Sequence, residues 1–144
     1  MNENTKKWVQ TAINALSTAE SEMVRRTNPR HRAYEQILYN CQQSAEKILK
    51  AYLHNMGEMP WGHELTALRL KCVVHDANFN NIRLIDHCEF LEQFNVARYA
   101  DFNQDVSAQI AKRAINSAIK IYNFTARKMD LSDYMKDDFI LCIY

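Results

Sequence analysis

Residues 34–57, YEQILYNCQQSAEKILKAYLHNMG, decide what kind of fold this chain adopts. Tyr34, Leu38, Cys41, Ala45, Ile48 and Tyr52 recur at alternating steps of four and three, the spacing of a seam packed along neighbouring helices at a shallow angle. Ile37, Leu49 and Leu53 widen that seam into a full core face. The spacing predicts a helix from about Ala33 to Met56, with Gly57 placed to cap its end. Threaded between the apolar positions are Gln42, Gln43, Glu46, Lys47 and Lys50. They read either as the solvated side of a bundle helix or as the wall of a site. As an exposed pair four residues apart, Glu46 and Lys50 would contribute only a few tenths of a kcal/mol.

Working outward, helical spacing returns on both sides. Trp8, Ala12, Leu16, Ala19 and Met23 predict a helix from Thr5 to about Arg25, whose alanines admit a neighbour closely. RRTNPRHR breaks the pattern at Pro29. After the connector EMPWGH, the segment ELTALRLKCVVHD reads as a shorter helix, ANFNN as a loop, and Ile82 to Phe94 as a further helix. NVARYADFNQD interrupts again and offers Asn103 or Asp105 as an N-cap. The last helix is expected from Val106 to Met129. Val106, Ile110, Ala114, Ala118 and Ile121 form one stripe, and Ala111, Ile115, Ile119 and Tyr122 an adjoining one. Two stripes are wider than one bundle contact needs, so contact with a second subunit is expected as well. The tail LSDYMKDDFILCIY ends in six apolar residues that need a surface to pack on. The expected fold is all-α, an up-and-down bundle of four to five helices over residues 1–129, with 130–144 an extension packing on the bundle or at an interface.

Composition agrees with that class. The chain has 144 residues, 47% hydrophobic and 24% charged, enough for a single domain with its own core. Two glycines and two prolines leave few breakers, which argues for long helices and against a many-stranded sheet. A net charge of +1 excludes wholesale electrostatic attraction to nucleic acid but not local patches. No apolar run is long enough for a membrane span, and MNENTKKW lacks the apolar stretch of a signal peptide. The scattered Cys41, Cys72, Cys88 and Cys142 suit reduced thiols, so a cytoplasmic location is expected.

The polar residues of the last helix are unusual. Arg113, Asn116, Lys120, Asn123 and Arg127 share one face, and from Asp105 to Lys128 five bases stand against one acid. Such a seam offers forked guanidinium donors to phosphate oxygens. It equally suits a surface facing the acidic tail, where Asp130, Asp133, Asp137 and Asp138 outnumber Lys136. Arg25, Arg26, Arg30 and Arg32 add a second basic segment. Cys72 with His75 and His87 beside Cys88 lack a matching second pair, so no metal site is expected. Two glycines cannot build a phosphate-cradling loop, and no cofactor is expected.

QQSAEKILKAYL, then GHEL with Leu68 beyond it, then ARYAD and a long alanine-rich last helix, together resemble the HEPN family, the higher eukaryote and prokaryote nucleotide-binding domain. The likeness covers about residues 5 to 128. It implies a homodimeric bundle with a polar cleft at or near the dimer interface, nucleotide or RNA binding, and in many members pairing with a nucleotidyltransferase in a toxin–antitoxin system. The family-like positions are Gln43, Glu46, Lys47, His63, Arg98, Tyr99 and Asp101, with Arg113 and Lys120 added from the basic stripe. Ala100 stands where the family often has proline. RNase-active members resemble one another in an arginine followed four to six residues later by a histidine. Here Asn103, Gln104 and Asp105 follow Arg98, and no histidine follows Arg113; the spacing does occur at Arg69–His75 and at Arg25 or Arg26 to His31, in other parts of the chain. A binding module is therefore expected, ahead of a protein-interaction module and a ribonuclease toxin, with no catalytic residue assigned.

Overall fold

A computed structural model describes residues 1–25, 34–94 and 107–139. Among these residues the chain is all-α, with no strand, and forms an up-and-down bundle of five helices: α1 (Glu3–Arg25), α2 (Tyr34–Asn55), α3 (Leu65–His75), α4 (Ile82–Glu92) and α5 (Ala108–Lys128). The helix over 34–55 is the centre of the bundle. It packs against every other helix and buries Ile37, Leu38, Cys41, Ala45, Ile48, Leu49, Tyr52 and Leu53, the face its spacing predicts. Such burial removes about 1.5–3 kcal/mol of apolar exposure per large aliphatic side chain, which is why α2 holds the bundle together.

α1 lies along α2 on a single stripe of Thr5, Val9, Ala12, Leu16, Ala19 and Met23. Val9 takes the core place expected for Trp8, which is half-buried at the edge. Both residues sit at helical spacing from Ala12 and Leu16, so only the neighbouring helix decides between them. At Ala12 the two helices come so close that Ser44 Oγ donates to the Ala12 carbonyl at 2.8 Å.

α2 ends as its glycine requires. Gly57 has φ +87°, its N–H reaches the His54 carbonyl at 3.0 Å, and Glu58 N–H reaches Leu53 O at 3.0 Å, the paired bonds of a Schellman cap. α5 ends in the same pair of bonds, Asp130 N–H to Arg127 O and Leu131 N–H to Ala126 O, but with Asp130 at φ 56° in glycine's place.

The segment ANFNN is more than a loop. Asp76 caps a short 3-10 turn, Ala77–Phe79, by accepting from Asn78 N–H, and Phe79 is fully buried against Tyr52 and Phe124 at ring distances of 4.6 and 5.1 Å. α4 starts on Asn81, whose side chain accepts from Arg83 and Leu84 N–H. α5 is capped by Ser107 rather than Asn103 or Asp105, which lie outside the described residues. Among the described residues the apolar face of α5 packs against α2, α4 and α1, with Ile110 half-buried at its edge; Val106 lies outside the described residues.

The acidic tail does cross the bundle. Tyr122 Oη donates to Tyr134 O at 2.8 Å, Lys136 Nζ meets Glu20 at 2.8 Å, and Leu131 is buried. Of the terminal apolar run only Phe139 lies within the described residues, where it packs against the core. Among the described residues no helix is long and apolar enough to cross a membrane.

Candidate functional site

The polar face of α2 turns inward. Glu46 is fully buried, and its carboxylate meets Lys47 Nζ at 2.8 Å, Lys50 Nζ at 3.4 Å and His63 Nδ1 at 3.1 Å. Lys50 is only 5% exposed, so this pair is not the surface pair its spacing implies. Gln42 donates to the His63 carbonyl at 3.1 Å, and Gln43 donates to Gln42 Oε1 at 3.2 Å. The α2 polar set thus fastens the 58–63 connector to the bundle at His63, by side chain and by backbone. The ammonium groups of Lys47 and Lys50 also lie over the Trp8 ring, 5.3 and 5.6 Å from its centroid.

Beside this cluster α1, the end of α2 and the connector enclose a groove of about 700 Å³. Lys7, Trp8, Lys50, His54, Trp61 and His63 line it. His54 is held there by Thr5, whose Oγ1 is 2.7 Å from Nδ1.

A second groove, about 400 Å³, runs between α4 and α5 and is lined by Arg83, Asp86, His87, Arg113, Asn116, Ser117 and Lys120. Three cations there face one carboxylate, Asp86. The Arg113 guanidinium lies 3.9 Å from the centroid of the Phe90 ring, which fixes the plane of its donor fork. His87 Nδ1 is 3.0 Å from Ser117 Oγ. Burial, and then the charges of Lys120 and Arg113, push this imidazole below the ordinary histidine range, with Asp86 opposing them. His87 is therefore neutral at pH 7 and presents one lone pair as well as one N–H.

The basic stripe of α5 does not act as one surface. Arg113, Asn116 and Lys120 belong to the α4–α5 groove, whereas Asn123 is buried under the tail. Its amide donates to Lys136 O at 2.7 Å and accepts from Lys136 N–H at 2.8 Å, which clamps that residue's backbone on both sides. Lys120 reaches Asp138 at 3.4 Å, so the tail touches the edge of the groove. Arg127 is exposed and outside it.

A family profile for the HEPN domain matches residues 5–129. The chain belongs to the HEPN domain family. Neither a comparison with curated proteins nor one with solved structures finds a match.

In this HEPN domain the residues singled out from sequence fall into two places. Gln43, Glu46, Lys47 and His63 cluster at the α2–connector junction; Arg113 and Lys120 line the α4–α5 groove. Arg98, Tyr99 and Asp101 lie outside the described residues, as do Arg26, Arg30, Arg32 and His31. The linear Arg69–His75 spacing has a structural explanation. Arg69 is buried and donates to Phe79 O at 3.1 Å, and His75 pairs with Glu58 at 2.8 Å.

Sequence reasoning missed His87, Arg83 and Ser117. For Arg83 and His87 a signal was present in the chain, since they stand four residues apart, the arginine-to-histidine spacing described above. Ser117 joins them only through the juxtaposition of α4 with α5, which no spacing along the chain encodes. Among the described residues no group of His, Cys, Asp and Glu has the arrangement to hold a metal ion. Cys41, Cys72 and Cys88 are buried free thiols, and burial pushes all three upward, Cys88 to about 12, so they remain protonated and unreactive.

Proposed function

We propose that this HEPN domain binds a nucleotide or another phosphate-bearing ligand in the α4–α5 groove. One observation carries the reading: Arg83, Arg113 and Lys120 converge there from two helices around the neutral donors of Asn116, Ser117 and His87, against Asp86 in the lining and Asp138 at the edge. Phosphate oxygens are matched by forked guanidinium donors, and Arg113 is already oriented by its stacking on Phe90. Thermal unfolding with a panel of nucleotides and short RNA tests it. Stabilisation by about 1 kcal/mol or more is expected when ligand stands well above its dissociation constant. Arg113→Ala should abolish that shift while leaving the unliganded Tm near the wild-type value. Ligand stabilisation that survives Arg113→Ala unchanged would refute the assignment. The family resemblance extends the reading to Arg98, Tyr99 and Asp101, to a homodimer, and to a nucleotidyltransferase partner in a toxin–antitoxin-type pair. Sedimentation equilibrium and co-purification test the last two.

His87 favours a second reading, ribonuclease action. With Nδ1–H donated to Ser117 Oγ, its Nε2 is an unprotonated base beside Arg113 and Lys120. It would take the proton of a ribose 2′-hydroxyl as that oxygen attacks the adjacent phosphorus. The bond to the 5′-oxygen breaks, that oxygen takes a proton from water, and the cations hold the charged phosphate. RNA cleavage lost in His87→Ala, with DNA of the same sequence left intact, is the expected outcome. Intact RNA with the wild-type protein sinks this reading and leaves the binding module.

A further inference from the structure

We propose that the groove between α1, α2 and the connector is a separate binding site, for a small organic anion with a flat aromatic body. Every ionisable side chain that lines it is basic: Lys7, Lys50, His54 and His63. Glu46, the carboxylate that touches two of these groups, does not line the groove and is shared among Lys47, Lys50 and His63, one acid against three partners. Lys7 has no ion-pair partner among the described residues, so it is available to an incoming anion. A wall of this sign without acids selects negative charge and rejects cations.

The aromatic requirement comes from the other half of the lining. Trp61 is 75% exposed and Met59 72% exposed, and both line the groove together with the half-buried Trp8. A tryptophan left this exposed gains from being covered by a flat ring, and Trp8 is held in place by the two ammonium groups over it. The connector that carries Trp61 is not free to drift, because Gln42 and Glu46 fasten His63 two residues on. Its volume of about 700 Å³ lies within the range of small-molecule sites. None of its lining residues belongs to the α4–α5 groove, so the two sites stand or fall independently.

The chain contains two tryptophans, and both line this groove. Fluorine NMR of protein labelled with fluorotryptophan therefore watches this site and no other. The probe is naphthyl phosphate, with naphthol supplying the body without the charge and inorganic phosphate the charge without the body. Saturable shifts of both resonances by naphthyl phosphate are expected, with binding about tenfold tighter than for either comparator. Trp61→Ala and Lys7→Glu, both surface changes checked for an unaltered Tm, should each weaken it about tenfold. Absent or unsaturable shifts overturn the proposal, as do equal binding of naphthol or wild-type affinity in both variants.

Discussion

Glu46 shows how much a single residue's meaning depends on what covers it. Its spacing from Lys50 is visible in the chain, and in water such a pair is nearly neutral in its effect. In the structure Glu46 has no exposure and Lys50 almost none, because Trp8 of α1 and His63 of the connector close over them. Neither closure can be read from α2 alone. Glu46→Ala would leave the buried Lys50 without its counter-charge, and urea unfolding should show a loss of about 3–5 kcal/mol. Replacing Glu46 and Lys50 together by methionine should recover most of that loss; a double variant as unstable as Glu46→Ala would contradict this. His87 makes the same point with a proton. Its native imidazole titrates below the ordinary range, chiefly because it is half-buried. The unfolded chain takes up that proton near pH 6.5 or so, the native protein only at lower pH. Stability from this group is thus intact above about pH 6.5 and is lost as the pH falls through that value towards the native pKa. His87→Gln should flatten the slope of unfolding free energy against pH below about 6.5. An unchanged slope would mean that the imidazole is not held neutral.

Among the elements, both long helices at the centre of the bundle close with a left-handed residue, and only one has the residue that suits it. Gly57 at φ +87° adopts this conformation freely, whereas Asp130 at φ 56° does so against the clash of its Cβ. Asp130→Gly should therefore stabilise the protein by about 0.5–1 kcal/mol, and Gly57→Ala should destabilise it by about 1 kcal/mol. The measurement is the urea midpoint at constant m-value. Loss of stability in Asp130→Gly would show that the aspartate side chain makes a contact worth more than its backbone strain. These caps lie where apolar periodicity stops, which is why helix ends near 57 and 129 were legible. The helices themselves were legible for the same reason, since a seam such as 34–53 admits one period only. The polar stripe of α5 was not. Arg113, Asn116, Lys120 and Asn123 share a face by spacing, yet the tail buries Asn123 and leaves Arg113 open. The division is made by residues 131–139 and by α4, segments distant in the chain, and helical periodicity carries no information about either.

At the scale of the molecule the net charge of +1 conceals a separation. The ionisable residues that line the two grooves are predominantly basic, while Asp130, Asp133, Asp137 and Asp138 gather on the tail. Near-neutral overall charge means that little long-range attraction precedes contact, so any affinity for a polyanion has to come from the few cations that touch it. That makes its salt dependence countable. If Arg83, Arg113 and Lys120 each neutralise one phosphate of a short single strand, the logarithm of the binding constant should fall with the logarithm of salt concentration at a slope of about −2, three contacts at roughly −0.7 each. Arg113→Ala should reduce the slope by about 0.7 as well as weakening binding. Lys120→Ala should do the same, but with a smaller loss of affinity, because the free protein already pairs this lysine with Asp138 at 3.4 Å and the ligand must displace that contact. Asp138→Asn separates the two effects, since it frees Lys120 and should tighten binding without changing the slope. A slope near zero in the wild-type protein would remove phosphate from the account of the α4–α5 groove. A slope much steeper than −2 would mean that further cations, from parts of the chain beyond these two helices, share the contact.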